Sequence, residues 1–463
     1  MASRNRASST SSAADDRRSE QQPRSLPVAA PSRAELASAF SQALDLAEGR
    51  QSGHAARVCY IALNLAESVG LSAADQRVVY YSALLHDAGA MSASADVCRQ
   101  INLTEESIFR ASAERSAEQI AREIAPVGAE DVVDALHSHP ERGAQVAGAL
   151  GFDTDVQQAI TAHHERWDGR GYPEALEGEA IHAAGRIVGA ADLIESLIAT
   201  EANALTARRN LVSALTNHAG AALDEVLAQR ASDLVRSDAF WLGLHNWALP
   251  RELPASCPEE PEGDPADLIT FASVFADLAD TKGEHTGQHS KRTAEYAYCL
   301  GEAMAFGEGR LEMLRVAALV HDVGLLGIPA RIIAKPDILS LAEMETMRKH
   351  PTYSQMVLEA LPGLEEVAGW AGAHHERPDG KGYPEMMEDT TIPVEARIIA
   401  VVDTYVALTS ERPYRKALSD KDAQQVLLGG AGGQLDAKLV QLLCSKAPGL
   451  MSSRTAPRSR RRR

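Results

Sequence analysis

Apolar and polar residues follow a helical rather than a strand-like pattern along this 463-residue chain. Alanine and leucine fill most of the apolar positions, and both residues favour helices. Helical patterning is visible in QRVVYYSALLH, which ends at His86, and in LEMLRVAALVH, which ends at His321. Strand-type alternation is hard to find in either stretch or around them. The pattern therefore predicts an all-α fold.

Five prolines and five acidic residues interrupt the helical pattern in the segment 250–265. Such a composition is typical of an interdomain linker. It separates two predicted helical domains, 34–249 and 266–447, and the chain is long enough for two. The N-terminal segment 1–33 is poor in apolar residues, which predicts a disordered tail.

Charge and cysteine usage narrow the class of protein. The net charge of −18 argues against a general nucleic-acid binder. The last ten residues contain six arginines, but we interpret the segment 448–463 as a solvated tail rather than a binding site for nucleic acid or lipid. Five scattered cysteines without a C-x-x-C pair indicate reduced thiols and a cytoplasmic protein. The sequence has no secretory signal and no apolar run long enough to span a membrane.

Internal repetition is the strongest signal in the sequence. The segment HHERWDGRGYP begins at His163, and HHERPDGKGYP begins at His374, with nine of eleven positions identical. Histidines and aspartates recur at matched intervals of 32, 24 and 28 residues in both halves, and ten of the fifteen histidines occupy these positions. The chain is therefore predicted to be a tandem repeat.

The repeated residues have the chemistry of metal ligands. Each half contributes five histidines and two aspartates, and this donor set suits iron, manganese, zinc or nickel. Seven such side chains exceed the needs of one tetrahedral ion. A carboxylate that directly follows a histidine can bridge two ions. The pattern predicts a two-metal site, whose usual chemistry is in-line displacement at phosphorus.

Several motifs of the second half carry a family resemblance. VHDVGLLGIP, KHP, HHERPDGKGYP, IPVEARIIAVVDTYVALTSERPYR and GGQLDAKLV resemble the HD-GYP family of bacterial phosphodiesterases over nearly all of 266–447. The first half resembles the same family more weakly. The resemblance implies tandem all-helical HD domains, two divalent metals (iron or manganese, with zinc or nickel as alternatives) and cyclic di-GMP as the substrate, cleaved by hydroxide attack.

The resemblance also implies a role for each matching residue. His321 and Asp322 form the implied catalytic dyad. The implied metal ligands are His289, His321, Asp322 and Asp403 for one ion, and His350, His374 and His375 for a second ion that Asp322 bridges. The implied substrate contacts are Tyr383, Arg412 and Arg415. The corresponding metal set of the first half is His54, His86, Asp87, His139, His163, His164 and Asp192. His285, one helical turn before His289, is either a further ligand or an exposed helix histidine.

Two departures from the family pattern bear on activity. The family usually has a lysine three residues after the aspartate of the dyad, but this chain has Leu325 in the second half and Ala90 in the first. The phosphate-contacting arginines become Glu201 and Ala204 in the first half, and an acidic side chain repels phosphate. The second half is therefore predicted to be catalytic and the first half to be a degenerate partner.

Three functions remain open from the sequence. The first is a metal-dependent phosphodiesterase acting on a cyclic dinucleotide. The second, suggested by the missing lysines, is a catalytically impaired metal-binding module that senses nucleotides or contacts signalling proteins. The third is a phosphohydrolase acting on another nucleotide, since one fold hosts several substrates.

Overall fold

The structure is a computed structural model that describes residues 30–47, 53–90, 122, 129–201, 203–282, 288–411 and 416–450. Within these ranges the chain is helical, and extended pairing is limited to isolated bridges. The predicted tails, 1–33 and 448–463, fall mainly outside the described residues. None of the described helices is both long and apolar enough to cross a membrane.

Among the described residues, ten helices precede the second half. They are α1 (Arg33–Ala47), α2 (His54–Ser68), α3 (Ala73–Leu85), α4 (Ala129–Ala149), α5 (Thr154–Thr161), α6 (Ala183–Thr200), α7 (Ala204–His218), α8 (Glu225–Leu234), α9 (Asp238–Leu244) and α10 (Leu249–Glu252).

The second half repeats the order of the helices that carry the candidate ligands. Its helices are α11 (Pro265–Lys282), α12 (His289–Ala303), α13 (Glu308–Val320), α14 (Ala330–Ile333), α15 (Leu341–Met347), α16 (His350–Glu359), α17 (Glu365–Gly372), α18 (Val394–Thr409), α19 (Asp420–Gly430) and α20 (Ala437–Leu450). A 3₁₀ turn, Val323–Gly327, follows α13 directly.

Side-chain caps fix where several helices begin. The Ser72 hydroxyl accepts a hydrogen bond from the Asp75 amide at the start of α3. Ser340 and Glu343 form a reciprocal capping box at the start of α15. The helices α2 and α12 begin with the first histidine of each repeat. The carboxylates of Asp45 and Asp280 accept hydrogen bonds from the amides of Ala55 and Ser290 in their first turns. These bonds satisfy amides that have no intrahelical partner.

The two halves share one hydrophobic core. Phe40 on α1 and Phe275 on α11 are both fully buried, and their ring centroids lie 4.5 Å apart. Each phenylalanine precedes the first histidine of its repeat by 14 residues, so equivalent residues meet. Such contacts are typical of an approximate two-fold arrangement. Helix α1 also packs on the turn Val323–Gly327 of the opposite half.

The segment 250–265, predicted as a linker, lies against the first half. Leu253 and Cys257 are buried. The Glu260 carboxylate accepts a hydrogen bond from the Ala34 amide at 3.0 Å and another from the Tyr81 hydroxyl. These contacts join the connection to α1 and α3.

We predict that Phe275→Ala will destabilise the chain by about 3–5 kcal/mol, because it removes a buried ring and leaves a cavity between the halves. Chemical unfolding monitored by circular dichroism would measure this loss. The control is Leu205→Ala at a side chain that is 82% exposed, which should change stability by about 0.5 kcal/mol or less. Equal effects of the two substitutions would contradict the central role of the phenylalanine contact.

Candidate metal centre

The candidate site of the second half forms where four helix ends and one helix interior converge. His289 is the first residue of α12, and His350 is the first residue of α16. His321 caps the C-terminal end of α13. The adjacent pair His374 and His375 follows α17, and Asp403 lies within α18. All seven predicted ligands of the second half are described, and the fold brings them together.

The two carboxylate oxygens of Asp322 face two different groups of imidazoles. Its Oδ2 lies 3.3 Å from His321 Nε2 and 3.9 Å from His289 Nε2. Its Oδ1 lies 3.4 Å from His350 Nε2 and 3.7 Å from His374 Nε2. This division is the arrangement that a carboxylate bridging two ions requires.

The other ligands complete the two groups. Asp403 Oδ1 lies 2.9 Å from His289 Nε2 and 3.9 Å from His321 Nε2, so it belongs to the first group. In the second group, His350, His374 and His375 each have a ring nitrogen that lies within 4.8 Å of those of the other two. One group therefore mixes histidine and carboxylate, while the other is composed of histidines.

Backbone carbonyls orient three of these rings. His321 Nδ1 donates to Ala318 O at 2.9 Å, and His374 Nδ1 donates to Ala371 O at 2.6 Å. His350 Nδ1 donates to the carbonyl of Met347 at 2.8 Å. When Nδ1 carries the proton in such a bond, the Nε2 lone pair is directed toward the centre, as in metal-ligating histidines.

The first half repeats this geometry. Asp87 Oδ2 lies 3.0 Å from His86 Nε2 and 3.9 Å from His54 Nε2, whereas its Oδ1 lies 3.6 Å from His139 Nε2 and 3.9 Å from His163 Nε2. Asp192 Oδ1 lies 3.6 Å from His54 Nε2. His164 joins Asp87, His139 and His163 in one compact group. All seven predicted residues of this set are therefore also brought together.

Burial and mutual proximity set the charge of these groups. Desolvation, reinforced by neighbouring histidines, lowers the pKa of His375 to about 4, that of His139 to about 3 and that of His374 well below the ordinary value. Although burial opposes ionisation, His321 and the other imidazoles hold the pKa of Asp322 well below its usual range. Although burial opposes its protonation, Asp322 and Asp403 raise the pKa of His321 well above the ordinary value. Neutral His374 and His375 beside an ionised Asp322 are the protonation states that metal ligation needs, and an ion bound at His321 would displace its proton.

The donor set fits divalent metal ions. The Nε2 atoms of His54 and His321 are buried and have no hydrogen-bond partner among the described residues. A buried imidazole nitrogen left in this state is costly unless something binds it. Nitrogen and carboxylate oxygen donors in these numbers suit first-row ions such as iron, manganese, zinc or nickel.

The glutamate of each HHER motif shapes the loop that follows it. Glu376 is buried, and its two carboxylate oxygens accept hydrogen bonds from the amides of Glu385 and Met387 at 2.7 and 2.9 Å. Glu165 makes the same pair of bonds in the first half. The sequence interpretation assigned no role to this residue, although its repetition beside the double histidine was a usable signal.

Tyr383 reaches the centre through this loop. Its ring stacks on that of His375 with centroids 4.8 Å apart. Gly382 permits the tight loop, because a Cβ at that position would lie 2.5 Å from the Glu376 Cα. The predicted contact residues Arg412 and Arg415, and the alternative ligand His285, lie outside the described residues.

The two centres differ in access to solvent. The Asp322 and Asp403 side chains are 14% and 18% exposed, whereas those of Asp87 and Asp192 are 7% and 5% exposed. The second centre is thus the more accessible one.

A buried ion pair supports the first centre from behind. His54 Nδ1 donates to Glu195 Oε2 at 2.8 Å, and Glu195 Oε1 accepts a hydrogen bond from Arg57 Nε at 2.8 Å. A carboxylate behind a ligating histidine fixes its tautomer and raises its basicity. The equivalent position in the second half is Val406, so this support differs between the halves.

Comparison with known proteins identifies the family. A profile described as HD domain matches residues 127–225 and 273–439, which together exceed half of the chain. The chain belongs to the HD-domain family. Phosphohydrolases of this family depend on metal ions, which agrees with the two His/Asp clusters.

Two relatives from Vibrio cholerae align with both halves of this HD-domain protein. The 3′3′-cGAMP-specific phosphodiesterase 3 is 30% identical over 413 residues, which are 83% of this chain and 88% of the relative. The 3′3′-cGAMP-specific phosphodiesterase 1 is 25% identical over 87% of this chain and 89% of its own length. A cyclic di-GMP phosphodiesterase of Thermotoga maritima is 36% identical over 32% of this chain and 41% of the relative.

A solved structure agrees with the fold. The crystal structure of a cyclic GMP-AMP-specific phosphodiesterase of V. cholerae superposes with a TM-score of 0.64 at 26% identity, covering 90% of this chain and 98% of that chain. The predicted HD-GYP resemblance, the all-α HD-domain fold and the hydrolase class are confirmed.

We predict that Gly324→Ala will strip metal from the second centre. A Cβ at this position would lie 2.0 Å from the carbonyl oxygen of His350 and 2.7 Å from the Ser354 amide, so α16 must move away from Asp322. Elemental analysis of the metal-loaded chain should show a clear loss of bound metal, together with a lower melting temperature.

The matched control is Gly369→Ala on α17, where an added Cβ meets no atom within 4 Å. This variant should keep its metal and its melting temperature. Full metal content in Gly324→Ala would contradict the role assigned to the close approach of the turn and α16.

Proposed function

We propose that the second half is a metal-dependent phosphodiesterase that hydrolyses a cyclic dinucleotide. The observation that carries this proposal is the Asp322 carboxylate, whose two oxygens face separate imidazole groups in the more exposed of the two centres. Two divalent ions in such a site supply Lewis-acid binding of a phosphate oxygen and a water molecule of lowered pKa.

The chain's own residues hold and position the reactants. His289, His321 and Asp403 would hold one ion, and His350, His374 and His375 the other, with Asp322 shared between them. Tyr383 flanks the open side next to His375. Arg412 and Arg415 retain the role of phosphate contacts that the family resemblance implies, since guanidinium groups bind phosphate in a bidentate manner.

The relatives favour 3′3′-cGAMP over cyclic di-GMP as the substrate. The two relatives that align with more than four fifths of this chain are named as specific for 3′3′-cGAMP. The cyclic di-GMP phosphodiesterases of V. cholerae and T. maritima align over only about a third of it. We therefore propose 3′3′-cGAMP as the preferred substrate, with cyclic di-GMP, the substrate expected from the motifs, as the alternative.

The substrate is tested by incubating the iron- or manganese-loaded chain with 3′3′-cGAMP, cyclic di-GMP and cyclic di-AMP in parallel. Liquid chromatography should detect linear dinucleotide fastest from 3′3′-cGAMP. Faster cleavage of cyclic di-GMP would overturn the substrate preference but keep the enzyme. Cleavage of none of the three would count against the proposed function.

One observation favours a catalytically impaired module as the second candidate. Leu325, which replaces the family lysine, is 6% exposed and packs in a small apolar cluster with Ile328 and Ile332. It therefore supplies no positive charge to the centre. In this alternative, the chain binds the nucleotide and signals without turning it over.

We predict that Asp322→Ala will lower kcat at least about 100-fold, because the loss of even an outer-shell partner of a metal ligand costs 10- to 100-fold. The control is Asp233→Ala, which removes an exposed carboxylate whose side-chain partners, Gln229 and Arg236, lie within four residues of it, and it should leave the rate unchanged. Turnover that appears only after Leu325→Lys would instead support the impaired module.

We also propose that the first centre binds metal in a structural role. Its aspartates are the less exposed pair, and Glu195 supports His54 from behind. Glu201 and Ala204 take the places of the implied phosphate-binding arginines. The first centre thus has ligands for metal but a poor surface for a phosphate.

We predict that Glu195→Val, which copies Val406 of the second half, will weaken metal binding at the first centre 10- to 100-fold. Using Asp322→Ala as the background removes the contribution of the second centre. Metal titration followed by elemental analysis should show bound metal in the background variant and weaker binding when Glu195→Val is added. Absence of metal in the background variant would contradict a structural metal at the first centre.

A further inference from the structure

Arg348 lies at the open edge of the second centre. It follows α15 directly and precedes His350 by two residues. The guanidinium carbon lies 5.3 Å from the centroid of the Tyr383 ring, in a cation–π contact. The same ring stacks on His375, so one aromatic ring separates the guanidinium from a candidate metal ligand.

The guanidinium of Arg348 is available for a ligand. No carboxylate among the described residues lies within ion-pair distance of it, and the side chain is exposed. Two other arginines of the second half are already engaged, since Arg377 forms a two-bond pair with Asp379 and Arg397 contacts Asp436. An arginine held on an aromatic ring loses less side-chain entropy when it binds, because its planar fork is already oriented.

The first half has a different group at the same place. His137 precedes His139 by two residues and stacks on Tyr172, with ring centroids 4.8 Å apart. The aromatic platform is thus retained in both halves. The guanidinium, with five N–H donors, is replaced in the first half by an imidazole with at most two. The arginine therefore distinguishes the more open centre from the closed one.

The size of a cyclic dinucleotide suggests what Arg348 contacts. Its ring contains two phosphodiesters, and only one can occupy the metal centre in a given turnover. The other phosphodiester must lie away from the ions, toward the rim of the site. A planar guanidinium at the rim matches the geometry of phosphate oxygens and their charge.

We propose that Arg348 is a positioning residue that binds the phosphodiester that is not being cleaved, while Tyr383 holds the guanidinium in place. This inference rests on the proposed function of the second half and adds a specificity determinant to it. Arg348 would select substrates that carry two phosphates over simple phosphodiesters.

The test compares Arg348→Ala with the unchanged full-length, metal-loaded chain on two substrates. For 3′3′-cGAMP, KM should rise about 10- to 100-fold, the effect of losing a charged hydrogen bond, while kcat changes little. For bis(p-nitrophenyl) phosphate, which has one phosphodiester and no base, kcat/KM should stay the same. Arg348→Lys should recover part of the KM loss.

Two controls separate positioning from structural damage. Bound metal should be unchanged in Arg348→Ala. The matched variant His137→Ala at the equivalent position of the first half should leave KM for 3′3′-cGAMP unchanged. An unchanged KM in Arg348→Ala, or an equal loss on both substrates, would overturn the proposal. A loss confined to guanine-containing cyclic dinucleotides, with cyclic di-AMP unaffected, would also overturn it, since it would indicate a base contact.

Failure of the proposed function can be told apart from failure of this inference. If the unchanged chain cleaves neither substrate, calorimetry with 3′3′-cGAMP still measures binding to the metal-loaded protein. Weaker binding in Arg348→Ala, equally for cyclic di-AMP, would then support the phosphate contact while the phosphodiesterase proposal falls. Equal binding by both proteins would overturn the contact as well.

Discussion

Each centre depends on a close approach between two elements. They are the turn that follows the His-Asp dyad and the helix that carries the next histidine ligand, which is His350 in the second half. One carboxylate can face two groups of imidazoles only if the elements that carry them nearly touch. Gly324 permits this contact, and the Ser354 hydroxyl secures it by donating to His321 O and accepting from the Gly324 amide. In the first half, Gly89 lies just as close to the carbonyl of His139.

The two halves share one fold, but the aspartates of their centres differ in exposure to solvent. The ligand geometry is nearly the same in both, but the carboxylates of the first half are more deeply buried. Glu195 holds His54 from behind in that half, while the second half keeps an open side that Tyr383 and Arg348 border. The same fold thus holds one centre with more deeply buried carboxylates and one with more exposed carboxylates.

The interface gives the first half a direct physical connection to the second centre. Helix α1 packs on the turn Val323–Gly327, which immediately follows Asp322, and Phe40 meets Phe275 in the shared core. A shift of α1 would therefore displace the turn that positions the Asp322 carboxylate, because packed interiors transmit strain.

The sequence by itself determined the helical class, the tandem repeat, the family and all fourteen described candidate ligands. Helical periodicity and residue spacing are local properties, and the matched intervals made the ligand sets recognisable. Only the tertiary structure decided how the ligands divide around Asp322 and Asp87, which centre is open, and that Glu376 folds the loop. It also decided that Arg348 lies on Tyr383 and that the proline-rich connection packs on the first half. These features depend on contacts between distant helices, and spacing along the chain does not encode which atoms face each other.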